Sequence, residues 1–200
     1  MLAPIILFFF SSIAMGQETY EFTFKEEGIA LMAKELGGPK SIVKVSGNIV
    51  APYEEIYQIL LEYKGHHKWV PRLMSSQFIH YEKDSKVEVE TVFDAPWPIA
   101  DRVFHLKANI IKQLNQIKIL GSGFISPIGQ DDEDVVTARV NRYELKLLKK
   151  GKYLTHVSLI FEIDSQGYVP FWVMNYIQRK WPVEFFRLLR LRVYYPHVFK

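Results

Sequence analysis

At 200 residues, with 48% hydrophobic and 24% charged side chains, the chain has the makeup of one globular domain with a sizeable core. A net charge of +3 is too small to indicate nucleic acid, and the absence of cysteine removes disulfide frameworks, thiolate metal sites and cysteine nucleophiles. The histidines offer no metal site either. His66 and His67 are adjacent and diverge on regular structure. His80, His105, His156 and His197 are scattered with no zinc-like spacing, so all read as surface residues and neither a metal nor a cofactor is expected.

Residues 1–16 carry no charged side chain. An apolar run at 5–10 is followed by small residues, with Ala14 and Gly16 suitably placed before a cleavage point. The stretch is too short to span a bilayer and fits a secretory signal peptide, although no basic residue precedes the apolar run. The expectation is therefore a single domain over 17–200, secreted or periplasmic, with no transmembrane helix in the mature chain.

Short apolar segments at 20–25 and 29–36 suggest strands, and Gly37-Gly38-Pro39 a turn. Residues 41–51 alternate through Ile42, Val43, Val45, Ile49 and Val50 and predict a strand. Pro52 then opens a helix over 53–63, with Ile56, Ile59, Leu60 and Tyr63 on one face and Glu54, Glu55 and Glu62 supplying acid. A short turn or helix over 65–71 comes next. Period-two patterning then recurs. Phe78, His80 and Glu82 alternate with Gln77, Ile79 and Tyr81; Val87, Val89, Thr91 and Phe93 with Glu88, Glu90 and Asp94. Phe104, Leu106, Ala108 and Ile110 alternate with His105, Lys107 and Asn109, and Ile117 and Ile119 flank Lys118. After a strand run over 135–148, Val157, Leu159, Phe161 and Ile163 alternate with His156, Ser158 and Glu162.

Such alternation gives one buried and one wet face, as in an antiparallel sheet, and on that reading Glu88 and Glu90 are solvated rather than a catalytic pair. Residues 95–101 hold Pro96 and Pro98 and cannot be a central strand, and 126–134 is an acidic loop. Gly121-Ser122-Gly123 lacks the Lys-Ser or Lys-Thr of a phosphate loop, and no Gly-x-Ser-x-Gly elbow is present.

The last stretch, 167–200, reads as an amphipathic helix. Met174, Ile177, Trp181, Phe185, Leu188 and Leu189 share one face, with Lys180, Glu184, Arg187 and Arg190 opposite. Pro182 lies inside it, removes a backbone donor and predicts a kink over 178–181. Six cations face one acid here, a balance of +5 that leaves −2 for the rest. A basic, aromatic end suits transient contact with an anionic membrane surface. The predicted class is α+β, with a curved antiparallel sheet wrapped around this helix and an apolar cavity between them.

Three stretches also carry a family resemblance. Residues 50–60 run on to His67-Lys68-Trp69-Val70-Pro71. Asp94-Ala95-Pro96-Trp97-Pro98-Ile99-Ala100-Asp101-Arg102-Val103-Phe104 looks like a Pro-Trp-Pro…Asp-Arg-Asp loop. The third is the final helix with its Gly167, Pro170, Trp172, Asn175 and Pro182. In this order, over 20–193, the chain resembles bacterial START-type lipid-transfer domains of the helix-grip class. It departs from them at Val103, which stands where the family's second Asp would be, and at 142–145, which lacks the usual Gly-x-Trp. The resemblance implies a monomeric, non-enzymatic carrier for one lipid or other hydrophobic small molecule. The helix and loop 95–101 would form its lid. Trp97 is expected at the cavity mouth, or as an anchor of the loop. Arg102 starts on the inward strand face, where its partner is a loop carbonyl, a distant carboxylate or a ligand head group. The remaining candidates for the wall are Phe104, Leu106, Ala108, Ile110, Ile117, Ile119, Leu159, Phe161, Met174, Ile177 and Trp181. The alternative on the same fold is a polyketide cyclase or aromatase using an inward Arg, Tyr or His.

Overall fold

The computed structural model describes residues 22–124 and 135–199. The leader-like residues 1–16 and the acidic loop 126–134 lie outside them. Nine strands form one sheet: β1 (Phe22–Glu26), β2 (Ile29–Glu35), β3 (Lys40–Ile49), β4 (Leu73–Glu82), β5 (Lys86–Phe93), β6 (Asp101–Gln113), β7 (Gln116–Gly123), β8 (Val135–Gly151) and β9 (Leu154–Asp164). Helix α1 (Tyr53–Leu61) and a 3-10 turn (Tyr63–Lys68) link β3 to β4. After β9 come α2 (Phe171–Asn175), a π-helical turn (Tyr176–Lys180) and α3 (Trp181–Tyr194), which together make the final helix.

The spatial order is β1-β2-β3-β9-β8-β7-β6-β5-β4. Strands β1 to β3 form one meander and β4 to β9 another, joined where β3 pairs antiparallel with β9. The β1–β2 turn has positive φ at both Glu27 (52°) and Gly28 (69°), the twist that suits a tight hairpin. The sheet is antiparallel apart from one seam. Past the end of β7, the start of β6 swings over to β8, pairing parallel from Asp101↔Val135 to Phe104↔Ala138. The strands crowd together there, and a Cβ on Gly121 would overlap the Lys107 carbonyl and Ala108. This seam bends the sheet into its concave shape.

Helix α1 begins at Pro52, with Glu54 and Glu55 in its first turn to complement the helix dipole. It buries Ile56, Tyr57, Ile59 and Leu60, and lies against β7 and β8. It stops short of the predicted end at 63, and the tighter 3-10 turn takes over. Strand β4 also departs from its expected alternation. It is an edge strand with two register shifts, and Leu73 is its one buried residue. Two histidines read as surface residues are buried, His66 and His105. His105 Nε2 is hydrogen-bonded to Glu90 at 3.0 Å, and Glu88 forms ion pairs with Lys86 and Lys107 at 3.2 Å each, so both glutamates are engaged by neighbouring side chains.

The expected break in the final helix is a π-helical turn. With no amide hydrogen on Pro182 and its ring crowding the carbonyl four residues back, the wide turn over Tyr176–Lys180 takes up the misfit. It also rotates the helix beyond it. A 3.6-residue wheel carried through from Met174 puts Phe185, Leu188 and Leu189 on the buried face; Phe185 and Leu189 are buried, but Leu188 is only half-buried and Pro182, Val183, Phe186 and Val193 are buried as well. Phe186 and Leu189 are fully buried against the sheet. Gly47 lets the helix come this close, since a Cβ there would sit 3.1 Å from the Gly28 carbonyl oxygen and 3.2 Å from the Phe186 ring.

The outer face of α3 is tied down by charge. Arg187 donates twice to the Glu27 carboxylate (2.9 and 3.2 Å), holding that carboxyl below its ordinary range. Arg190 donates to the carbonyls of Glu27 (2.9 Å) and Asn48 (3.1 Å), and Arg192 to Glu62 (2.7 Å). No helix among the described residues is long and apolar enough to cross a membrane.

Candidate functional site

A hollow of about 250 Å³ lies between the sheet and the final helix. Helix α3 packs on β2 and β3, so the concave surface of β5 to β9 is left partly uncovered. The 3-10 turn contributes Tyr63 and His66 and the residues just after it Trp69 and Val70; β5 and β6 contribute Val89, Phe93, Phe104 and Leu106; β8 and β9 contribute Val140, Leu145, Phe161 and Ile163. Val173, Ile177, Trp181 and Phe185 form the roof. Trp181 stacks on Phe185 (5.4 Å between ring centres), meets Phe161 edge-on (5.6 Å), and donates its indole N–H to the Pro71 carbonyl (3.0 Å).

Of the residues singled out from sequence, Arg102, Phe104, Leu106, Ile119, Phe161, Ile177 and Trp181 stand on this wall. Ala108, Ile110, Ile117 and Leu159 do not; they are buried in the close-packed part of the core, where helices rest directly on the sheet. Met174 is buried but off the wall, because the cavity side of that helix is Val173, Tyr176 and Ile177. Trp97 is 89% exposed and points outward, while its loop neighbours Ala95, Pro96 and Ile99 line the hollow. Period-two patterning marks inward strand residues without telling which of them a helix will cover. Tyr63 falls on the apolar face of the helix predicted over 53–63, where nothing marks a cavity; His66 and Trp69 lie in a segment with no clear period, and Tyr143 in a strand predicted without parity.

The loop between β5 and β6 is fixed at both ends. Arg72 pairs with the Asp94 carboxylate (2.6 Å) and its Nε donates to the Asp94 carbonyl (2.9 Å), the Asp94 N–H donates to the Arg72 carbonyl (2.9 Å), and Asp101 accepts the Ala95 N–H (2.8 Å). Beside it Arg102 is 7% exposed. Its Nε donates to the Ser165 carbonyl (2.8 Å), Nη2 to Gln166 (3.3 Å) and Nη1 to Ala100. Burial lowers its pKa, opposed by the Asp101 charge. A guanidinium has five donors, and no carboxylate among the described residues lies within ion-pair distance of this one. The neighbouring Ser165 hydroxyl is also on the wall, buried and without a partner among the described residues.

Arg72 and Asp94, also on the wall, neutralise each other as an ion pair, and the aromatic polar groups are neutral. The His66 Nε2–H donates to the Ile59 carbonyl (3.2 Å), and burial pushes its pKa down to about 4. Burial pushes the Tyr143 phenol up to about 12 and raises that of Tyr63 further. The Tyr176 hydroxyl donates to Glu184 (3.1 Å). Around the mouth, next to the wall residues Val169 and Val173, Tyr168, Phe171 and Trp172 are exposed.

No family model and no curated protein matches the sequence. Solved structures match it in shape. Human STARD10 superposes with a TM-score of 0.78 at 16% identity, over 89% of this chain and 74% of that one. A STAR-related lipid transfer protein from Xanthomonas axonopodis gives 0.69 at 17% identity, over 86% of this chain and 98% of that one. The Zhui aromatase/cyclase of a Streptomyces species gives 0.53 at 9% identity, over 78% and 94%.

Proposed function

We propose that this chain, which has the START-type helix-grip fold, is a non-enzymatic binding protein that encloses one lipid-like molecule and exchanges it with a lipid surface. The observation that carries this reading is an apolar hollow whose wall holds a buried guanidinium with spare donors and, among the described residues, no carboxylate partner. An amphiphile supplies both missing components. Its body fills the apolar space, and an anionic or hydrogen-bond-accepting head meets Arg102 and Ser165. The exposed Trp97, Tyr168, Phe171 and Trp172 at the rim support exchange with a bilayer, since amphipathic rings sit well at the headgroup level. They replace the basic helix face as the candidate contact, because Arg187, Arg190 and Arg192 are engaged within the protein. With residues 1–16 read as a signal peptide, the cargo is handled outside the cytoplasm, and protein from the native host should begin near Gln17.

Extraction and mass spectrometry of the purified protein should recover one class of amphiphile. Arg102→Met should reduce its occupancy roughly tenfold, the scale of a charge-assisted hydrogen bond, with Arg102→Lys between the two. A wild-type protein that carries nothing and takes up none of a panel of offered lipids would sink the reading.

A second reading, an enzyme that folds a reactive chain in the same hollow, is favoured by Tyr63, His66 and Tyr143 on one wall and by the aromatase/cyclase neighbour. The directions of their shifts weigh against it. With His66 pushed down to about 4 and both phenols pushed up, all three hold one neutral form around pH 7, a poor setting for proton transfer.

A further inference from the structure

The proposed binding reading, on which this inference rests, uses the Arg102 end of the hollow and leaves a second polar locus without a role. Tyr63 and Tyr143 both stand on the wall, and neither hydroxyl has a hydrogen-bond partner among the described residues. Their neighbours do not explain them. The Tyr63 ring lies against His66 (4.7 Å) and Phe78 (4.6 Å), contacts a phenylalanine would make equally well. Tyr143 lies between Gly121 and Phe161 in the sheet, and Gly121 has no side chain to offer. Helix α1, which leads into Tyr63, lies against β7 and β8, so the two phenols reach the hollow from neighbouring elements. Unused hydroxyls facing an apolar space cost free energy unless something in that space meets them.

The two loci lie apart. Tyr143 pairs with Phe161, and Arg102 bonds the carbonyl of Ser165, four residues further along the same chain segment and so about 13 Å away. They also differ in charge. The guanidinium suits an anionic or strongly accepting head, whereas two neutral phenols suit an uncharged oxygen, which they bond without having to neutralise it.

We propose that the cavity selects a two-ended amphiphile, with a carboxylate-like or carbonyl head at Arg102 and Ser165 and a second, neutral hydroxyl or carbonyl oxygen on its apolar body, held by Tyr63 and Tyr143. A ligand hydroxyl accepts from one phenol and donates to the other. A plain hydrocarbon tail leaves both phenols unmet, and the site discriminates against it.

The test uses a matched pair of probes, dodecanoic acid and 12-hydroxydodecanoic acid, titrated into the full-length protein by calorimetry. The wild type should bind the hydroxy acid about fivefold or more tightly than the parent acid, the scale of one or two net hydrogen bonds. The Tyr63→Phe/Tyr143→Phe double variant should reverse that order while keeping its affinity for dodecanoic acid, which also reports that the variant is folded. If the double variant does not fold, the two single Phe variants carry the test, and each should lose part of the preference. Equal affinity of wild type for the two acids, or a preference that survives in the Phe variants, overturns the proposal and leaves the binding reading standing. Failure of the wild type to bind either acid removes the Arg102 head-group site, and the two-ended ligand falls with it.

Discussion

His66 shows how one enclosed side chain makes stability depend on pH. Burial lowers its pKa from 6.5 to about 4, with the bond to the Ile59 carbonyl and the Glu62 charge opposing and Arg192 assisting. Between those values the unfolded chain takes up a proton that the folded chain refuses. Stability therefore falls as pH drops from about 6.5 toward 4, by at most roughly 3 kcal/mol. Carboxylates with lowered pKa such as Glu27 and Glu88 lose their contribution at lower pH, below their ordinary range. Urea titrations of the wild type should show this acid limb, and His66→Gln should flatten it; an unaltered limb would assign the loss to other groups. Arg102 was legible at this scale because strand parity pointed it inward, and its partners turned out to be backbone carbonyls. The two prolines flanking Trp97 mark a loop without saying which way its middle residue faces; its ring is exposed while Pro96 and Ile99 line the hollow.

The final helix was legible as an element and not in its rotation. Its length, its basic side and the disturbance ahead of Pro182 all come from residue pattern. Which residues become buried depends on the size of that disturbance. A π-helical turn shifts the stripe toward Phe186 and Val193, an outcome no constant-period wheel can give. The helix also needs a floor that admits it. At Gly47 a valine would press on the Gly28 backbone, which cannot yield as a flexible side chain would, and on the Phe186 ring. Gly47→Val should destabilise the protein by about 1–3 kcal/mol, the usual cost of overpacking, visible as a lowered melting temperature. A variant as stable as wild type would show that the helix can lift off the sheet at little cost.

For the whole molecule, alternation and segment order were enough to read a curved sheet gripping a helix. The parallel β6–β8 seam was not legible, because it depends on where β7 gives out. The position of the hollow resulted from that bend and from α3 resting on β2 and β3. The same arrangement brings the exposed Trp97, Tyr168, Phe171 and Trp172 beside wall residues of the hollow, while the cations of α3 are engaged elsewhere. Sedimentation with phosphatidylcholine/phosphatidylglycerol vesicles should therefore weaken several-fold in Trp97→Ser/Trp172→Ser. Arg187→Gln should lower stability slightly, by about 1 kcal/mol or less as expected for an exposed ion pair, and leave vesicle binding nearly unchanged. The opposite ranking would return the membrane contact to the basic face.

The junction of β3 with β9 has a consequence for how the chain reaches this state. Every other antiparallel pairing joins strands adjacent in sequence, whereas Ile49 meets Thr155 and Lys40 meets Asp164. During synthesis the first meander emerges long before its partner. The apolar side chains of Leu31, Val43 and Val45, fully buried in the finished protein, must wait uncovered until β9 has left the ribosome and α3 after it. Closing so wide a loop is slow compared with forming hairpins. The half-made chain thus presents uncovered apolar surface, the kind that invites aggregation, through most of its translation.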